Sequence, residues 1–334
     1  MIFSFFIKKI YKYHALIKIT QKTLIILKLK LVINIREMIS LKTQYIFLGK
    51  INDVNITVKR EIASDFYLTG NKYRKLKHNL IEFFKSRYEG IATFGGPFSN
   101  HLAATSSLCK HFGIKSFGFV RGDEMNTKSN PTIEHCINTG MHLEYLKRED
   151  YKLKMFSKKV KKFLSKRNVY FVPEGGANDF GITGSSEMIE SFDHTFDTIC
   201  IAVGTGGTML GVSRSIKNNQ KLLGFLSAKD RSRINYISNN IDSSINYDLI
   251  KEFTFGGFGK FNNELILFIN SFKKKYKIPL DPIYTGKVLF GIFTLIKNYN
   301  WSWGKNILFI HTGGQQGIDG FNFLQKKKGG LLLK

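Results

Sequence analysis

The chain has 334 residues, enough for two domains of ordinary size, and a hydrophobic content of 43%, which is typical of a globular protein. Its formal net charge of +26 is unusual and is compatible with a nucleic-acid or anionic membrane partner. The lysines are scattered, however, and no zinc-finger, helix-turn-helix or RNA-binding signature is present. We therefore expect no nucleic-acid partner.

Residues 1–40 form a basic segment that we interpret as an N-terminal extension, with Met38 as the candidate true start. Lysines interrupt its apolar stretches, so that no run reaches the roughly 18 residues that a membrane span needs. The order of charge, apolar core and small residues that marks a secretory signal is absent. We expect a cytoplasmic protein without stable membrane insertion. A basic amphipathic surface helix is the alternative for this segment.

The three cysteines, Cys109, Cys136 and Cys200, show no metal-binding spacing. An odd and sparse set argues against a disulfide framework and fits a reducing compartment. We expect the cysteines to be small buried side chains, and we expect no metal site.

From Tyr45 onward, short β-rich runs alternate with segments of helical length. The predicted strands are 55–60, 90–94, 115–121, 169–173, 198–203, 222–226 and 306–311. Helices are predicted over 73–88, from its apolar spacing, and over 100–112. This alternation predicts an α/β fold with parallel sheets covered by helices on both faces. In such sheets the loops after the strands carry ligands.

The most informative segment is the turn from Thr69 to Leu76, which holds Lys72 after Gly70. A lysine amine held out of bulk water is what a Schiff-base cofactor enzyme needs. Burial and the neighbouring cations Arg74 and Lys75 would both lower the pKa of Lys72 and favour its nucleophilic form. Most isolated lysines are solvated charges, so the motif is weak by itself.

A second turn places Ser99, Asn100 and His101 after Gly95-Gly96-Pro97, where a strand is predicted to give way to a helix. Serine and asparagine are favoured helix caps, and capping is the alternative to a role in binding.

A third segment, Gly204 to Thr208, follows an apolar run and precedes a predicted helix. Backbone N–H groups at such a helix start bind phosphate, and glycines allow the close approach. The loop lacks the Lys-Ser/Thr of a P-loop and misses the dinucleotide fingerprint at Met209. An ordinary turn is the alternative.

Together these segments resemble the pyridoxal-phosphate family that unites 1-aminocyclopropane-1-carboxylate deaminase and D-cysteine desulfhydrase, of the two-domain tryptophan-synthase-β-like fold (fold type II). The resemblance covers about residues 54–323. It rests on six ordered motifs: GNKYRKL at 70–76, GGPFSNH at 95–101, PEGG at 173–176, GTGGT at 204–208, DPIYTGK at 281–287 and HTGG at 311–314.

The resemblance implies a large cofactor-binding domain and an inserted small domain. We place the large domain at 41–74 and 186–325, the small domain at 75–185, and a basic tail at 326–334. The family also implies pyridoxal 5'-phosphate as the cofactor, a small amino acid as the substrate, and a homodimer.

Roles for single residues follow from the same resemblance. Lys72 is implied to join the cofactor covalently, Asn100 to bond its ring hydroxyl and Thr312 to face its ring nitrogen. The phosphate is implied to be held by Gly204, Thr205, Gly206, Gly207 and Thr208. Tyr284 is implied to pack near the ring as a catalytic residue, and Ser99 to contact the substrate carboxylate or assist proton transfer. Substrate binding is assigned to Ser99, His101, Phe258 and Thr285.

The choice of reaction depends on two threonines. Family members that open the cyclopropane ring typically have Glu after the tyrosine of the Asp-Pro-x-Tyr motif and Leu in the His-x-Gly-Gly motif, where this chain has Thr285 and Thr312. Because β-elimination expels a competent leaving group, it needs less help from a carboxylate at the ring nitrogen. The resemblance therefore favours elimination of the D-cysteine desulfhydrase type, which yields an α-keto acid and ammonia.

Two alternatives are kept. One is deamination of 1-aminocyclopropane-1-carboxylate, and the remote one is a non-catalytic basic binder of nucleic acid or membrane surfaces. The chain departs from its relatives at Phe258, where they usually have tyrosine, and at Ile62, where they usually have an acid. Both departures put the substrate in doubt more than the cofactor.

Overall fold

The computed structural model describes residues 39–124 and 130–334. Most of the predicted N-terminal extension, including the candidate start at Met38, lies outside these residues. Ile39 is buried in the same cluster as Leu76 and Leu80. The core therefore already includes residue 39, which the sequence analysis had assigned to the extension.

Within the described residues, ten strands and eleven α-helices alternate along the chain. The strands are β1 (Leu41–Ile51), β2 (Val54–Ala63), β3 (Gly90–Gly95), β4 (Lys115–Arg121), β5 (His142–Leu146), β6 (Val169–Val172), β7 (Thr198–Val203), β8 (Lys221–Leu226), β9 (Tyr247–Ile250) and β10 (Asn306–His311). The helices are α1 (Asn71–Lys85), α2 (Asn100–His111), α3 (Pro131–Asn138), α4 (Arg148–Leu153), α5 (Lys158–Leu164), α6 (Asp179–Ser186), α7 (Gly207–Ser213), α8 (Arg231–Asn240), α9 (Asn263–Tyr276), α10 (Thr285–Lys297) and α11 (Gln316–Lys328). None of these helices is both long and apolar enough to cross a bilayer.

The strands form two separate sheets. The larger sheet has the order β1-β2-β10-β7-β8-β9, and all its pairs are parallel except β1 with β2. The smaller sheet, β5-β4-β3-β6, is parallel throughout. The larger sheet thus combines strands from both ends of the described chain, and the smaller sheet is formed by the segment between them.

Helices cover both faces of the larger sheet, as the continuous apolar runs of its strands predict. Along β7, Ile199 and Ile201 belong to a cluster with Met209 of α7, whereas Cys200 belongs to a cluster on the other face with Leu289 of α10. All three cysteines are free and buried, as predicted.

Every predicted strand is present, and three of them, β4, β7 and β10, have the predicted bounds. The first predicted helix begins two residues earlier, at Asn71, and ends at Lys85. The strands β1, β5 and β9 were not predicted. All three lie at sheet edges, where one side of the strand is open and the apolar pattern is weak.

The predicted basic tail is partly structured. Helix α11 runs through Lys328, where lysines suit the negative end of a helix, and Gly329 caps it with φ +65°. Beyond the cap, Leu333 is buried and exchanges two hydrogen bonds with the Asn322 side chain, at 2.8 and 2.9 Å. Residues 326–334 therefore pack against the rest of the described structure.

The predicted domain boundaries at 75 and 185 fall inside α1 and α6, which pack closely against each other. These two helices thus lie in the connections between the segments that build the two sheets. The division into domains stays a prediction.

Candidate active site

Gly70 brings the start of α1 against the loop after β10. It forms an antiparallel bridge with Gly313, and Asn71 N–H donates to Thr312 O at 3.2 Å. Gly70 has φ +78°, and a Cβ there would lie 2.5 Å from the Thr312 carbonyl carbon and oxygen. Only glycine meets both requirements. This contact places Lys72 in the first turn of α1, beside the HTGG motif.

The Lys72 amine is held at the junction of these segments and donates to Asn71 Oδ1 at 2.6 Å. Burial disfavours its charged form and lowers its pKa to about 8, although the Asp281 carboxylate acts in the opposite direction. The expected lowering of the Lys72 pKa by Arg74 is absent, because the Arg74 side chain forms salt bridges with Glu61 and Glu187. Burial is therefore the main cause of the nucleophilic amine.

Asn71 connects Lys72 to the glycine loop. Its amide oxygen accepts from the lysine, and its Nδ2 donates to Thr208 Oγ1 at 2.9 Å. The residue is buried. The sequence analysis missed this bridge because nothing in the pattern indicates that Thr208 lies beside residue 71.

Lys75 is a second buried amine in the site and was not predicted. Its Nζ donates to Gly175 O at 3.0 Å, and a Cβ on Gly207 would lie 3.4 Å from the same nitrogen. Burial and the charge of Lys72 lower its pKa to about 7. Its position one helical turn after Lys72 is the signal that could have identified it.

The glycine loop follows β7 and meets the turn after β6. A Cβ on Gly175 would lie 2.7 Å from Thr205 Cγ2, so the carboxyl ends of strands from the two sheets face each other here. Gly206 caps α7 with φ +90°. A Cβ on Gly204 would lie 3.1 Å from the Tyr284 ring. The loop is therefore bordered by Lys75 on one side and Tyr284 on the other.

Asn100 begins α2 and carries an unsatisfied acceptor. Its Oδ1 is buried and has no hydrogen-bond partner within 39–124 and 130–334, while a Cβ on Gly314 would lie 3.2 Å from its Nδ2. A buried acceptor without a donor is costly. Its presence beside the HTGG motif indicates that a ligand supplies the missing donor.

Ser99 and His101 flank Asn100 and differ in their surroundings. Ser99 Oγ accepts a hydrogen bond from Leu102 N–H at 3.2 Å, which confirms the capping alternative. The hydroxyl hydrogen of Ser99 takes no part in that bond. His101 is buried, and its Nε2 lies 2.9 Å from Thr93 Oγ1. Burial and the charges of Lys72 and Lys75 lower the pKa of His101 to about 3, so its ring is neutral.

Tyr284 and Thr285 start α10 in different environments. The Tyr284 ring contacts Gly204 and meets the exposed ring of Phe258 edge-on, with the centroids 6.0 Å apart. Burial raises the pKa of Tyr284 and keeps its hydroxyl protonated. Thr285 is fully buried, and its hydroxyl donates to Asp281 Oδ2 at 2.6 Å. Its assignment to substrate binding stays a prediction.

The site as a whole brings together three features. They are an amine whose lowered pKa favours its neutral form, a glycine loop that forms a cradle beside a second amine, and an amide oxygen without a partner in the described residues. A primary amine reacts with an aldehyde, the cradle suits a phosphate, and the amide oxygen suits a hydroxyl donor. These are the functional groups of pyridoxal phosphate, and the residues present therefore fit this cofactor.

The comparisons with known proteins agree with this chemistry. Residues 41–313 match the model of the pyridoxal-phosphate dependent enzyme family, so the chain belongs to that family. A protein of Pyrococcus furiosus named as a 1-aminocyclopropane-1-carboxylate deaminase is 28% identical over 81% of this chain and 88% of its own length. The mitochondrial bifunctional D-cysteine desulfhydrase/1-aminocyclopropane-1-carboxylate deaminase of Arabidopsis thaliana is 26% identical, over 81% and 75%.

A solved structure supports the fold. The crystal structure of an ACC deaminase homologue superposes with a TM-score of 0.72, covering 86% of this chain and 93% of its own, at 23% sequence identity. The predicted family, cofactor and α/β fold of type II are thus confirmed. The roles assigned to single site residues stay predictions.

The rate at which Lys72 reacts with pyridoxal phosphate is expected to rise with pH through a midpoint near 8, since its amine loses the proton above that pKa. The measurement is the growth of visible absorbance in cofactor-free protein between pH 6 and 10. Asp281→Asn removes the charge that raises the pKa, so the midpoint moves to lower pH. Glu82→Gln, at the far end of α1, is the control. A midpoint near 10 in the unmodified protein would contradict the assignment.

Proposed function

We propose that this protein is a cytoplasmic lyase that eliminates a β-substituent from a small amino acid, in the manner of D-cysteine desulfhydrase, and releases an α-keto acid and ammonia. The observation that carries the proposal is the buried Lys72 amine, with its pKa of about 8, beside the glycine loop and the unpaired Asn100 Oδ1. Free buried cysteines support a reducing compartment. A homodimer, and domains divided near 75 and 185, follow from the resemblance.

The bound cofactor supplies an electron sink for the negative charge that develops at the substrate Cα. Lys72 would join it covalently, Asn100 would accept from its ring hydroxyl, and Thr312 would face its ring nitrogen. The phosphate binds to the backbone of 204–208. We add Lys75 to the predicted set, since its amine is beside Gly207 and would donate to a phosphate bound in that loop.

The substrate carboxylate binds at the start of α2, where backbone N–H groups and the Ser99 hydroxyl hydrogen are available to it. The neutral Lys72 amine would accept the Cα proton of the bound substrate as a general base. Tyr284 keeps its hydroxyl proton at neutral pH and would donate a hydrogen bond to the departing group without losing that proton. In this scheme the buried ring of His101, which is neutral and lies 2.9 Å from Thr93 Oγ1, moves no proton.

Elimination is preferred to opening of a cyclopropane ring because the site offers little acid near the cofactor ring. Asp281 is the carboxylate whose charge reaches Lys72, and its oxygens already accept from the backbone of 283–285 and from the Thr285 hydroxyl. Thr285 and Thr312 are themselves neutral. Ring-opening deamination is the second candidate, favoured by the names of the Pyrococcus and Arabidopsis relatives.

The test is a product assay on the cofactor-loaded protein. With D-cysteine we expect sulfide, pyruvate and ammonia, at a kcat/KM at least about tenfold above that for 1-aminocyclopropane-1-carboxylate, which would yield 2-oxobutanoate and ammonia. L-cysteine is the matched control for chirality. Faster formation of 2-oxobutanoate would favour the second candidate, and failure to form either keto acid would refute both.

A further inference from the structure

Lys287 closes the DPIYTGK motif, and none of the roles above uses it. It lies on α10 one turn after Tyr284 and is 2% exposed. Its Nζ donates to three backbone carbonyls: Thr254 O at 2.8 Å, Gly257 O at 2.9 Å and Ser227 O at 3.2 Å. An ammonium group has three N–H donors and no acceptor, so each donor has one carbonyl.

The carbonyls belong to two segments that border the site. Ser227 follows β8, and its N–H donates to Val203 O at the end of β7, directly before the glycine loop. Thr254 and Gly257 belong to the loop between β9 and α9. The lysine therefore ties this loop to the sheet edge from which the glycine loop emerges.

The loop from Thr254 to Phe258 has a backbone that needs such support. Phe255, Gly256 and Gly257 have φ values of +53°, +91° and +129°. A single local hydrogen bond, from Gly257 N–H to Thr254 O at 3.0 Å, closes the turn, and the Phe255 ring packs on Phe290 at 5.2 Å. Without the lysine, the Gly257 carbonyl keeps only one partner, the Lys260 N–H at 3.2 Å.

The end of this loop reaches the site. Phe258 follows Gly257 and meets the Tyr284 ring, and that ring contacts Gly204. About half of the Phe258 side chain is exposed, so its position against Tyr284 is not set by packing in the core. The Gly257 carbonyl, directly before Phe258 in the chain, is held by its hydrogen bond from Lys287.

We propose that Lys287 is a positioning residue for substrate: its ammonium holds the loop 254–258 so that Phe258 stays against Tyr284 and forms an apolar wall of the substrate pocket. The inference rests on the proposed function for the identity of the pocket. Lys287, the last residue of the motif, thus acts through the Gly257 carbonyl and Phe258, and it does not contact the reacting atoms.

The first test is hydrogen exchange of the cofactor-loaded protein, followed by mass spectrometry of peptides that cover 253–261. Lys287→Met, which removes all three donors at similar volume, is expected to speed exchange of the Gly257 and Lys260 amides at least tenfold. Lys287→Gln, which keeps two N–H donors, gives a smaller increase and serves if the Met variant fails to fold. Leu289→Ala, buried on the same helix, is the control for general destabilisation. Equal exchange in the unmodified protein and both Lys287 variants would overturn the proposal.

The second test is kinetic and uses a double-mutant cycle. Lys287→Met and Phe258→Ala are each expected to raise KM at least fivefold with kcat changed less than threefold, and the double variant is expected to resemble either single variant. Additive effects on KM would overturn the role through Phe258. If the loop exchanges faster but the unmodified protein turns over neither D-cysteine nor 1-aminocyclopropane-1-carboxylate, the proposed function fails while the hold of Lys287 on the loop stands.

Discussion

Replacing Lys72 with alanine is expected to remove the visible absorbance of lysine-bound cofactor and to lower kcat by at least about 1,000-fold. In the proposed mechanism this amine both joins the cofactor and moves the Cα proton. Lys75 does not have the same position, because it is bonded to Gly175 O and lies beside Gly207, at the phosphate side of the loop. The measurement is an absorbance spectrum together with the keto-acid assay.

Two lysines on the same helix serve as controls for this experiment. Lys75→Met is expected to keep the lysine-bound absorbance and to raise the Kd for the cofactor about 10- to 100-fold, the effect of losing one charge-assisted hydrogen bond. Lys85→Ala removes an exposed pair with Glu82 and is expected to change neither quantity. Retained absorbance and turnover in Lys72→Ala would refute the assignment of the nucleophile.

Gly70→Ala is expected to lower the free energy of unfolding by about 2–4 kcal/mol and to prevent cofactor binding. The added Cβ would lie 2.5 Å from the Thr312 carbonyl group, which belongs to the backbone and cannot turn aside as a side chain can. The start of α1 and the HTGG loop must then separate. Denaturant unfolding of the cofactor-free protein measures the first effect, and titration with pyridoxal phosphate measures the second.

Gly140→Ala is the matched control for this substitution. Gly140 also has a left-handed backbone, with φ +85°, but no atom lies within 4 Å of the position of its Cβ. Its substitution therefore reports only the backbone strain, about 1 kcal/mol. If both glycine variants lose the same stability and Gly70→Ala still binds cofactor, the close approach to Thr312 does not hold the site together.

The order of strands and helices could be predicted from the sequence because central strands carry continuous apolar runs. Thr198–Val203 and Asn306–His311 are almost wholly buried, and hydrophobic periodicity identifies such segments directly. The edge strands β1, β5 and β9 escaped prediction because polar residues interrupt their apolar runs, whereas the edge strand β6 has the uninterrupted sequence VYFV and was predicted. In the basic tail at 326–334, the lysines by themselves do not indicate that the first three of these residues end a helix.

Within the site, the predictable residues are those whose chemistry depends on their own turn. Lys72 after Gly70, Ser99 as a cap and the glycine loop before α7 are local features. Three other residues could not be predicted in this way, because each bonds to a partner about 30 to 140 positions away in the chain. The pairs are Asn71 with Thr208, Lys75 with Gly175, and Lys287 with Gly257.

The sequence by itself determined the family, the cofactor and the α/β pattern, because glycine-led turns and buried apolar runs depend on neighbours close in the chain. Only the tertiary structure decided that the Asp281 carboxylate opposes the effect of burial on the pKa of Lys72, and that the Thr285 hydroxyl is buried and bonded to Asp281. Both outcomes depend on which segments meet at the carboxyl ends of the two sheets. Such meetings join residues far apart in the chain, and no local pattern encodes them.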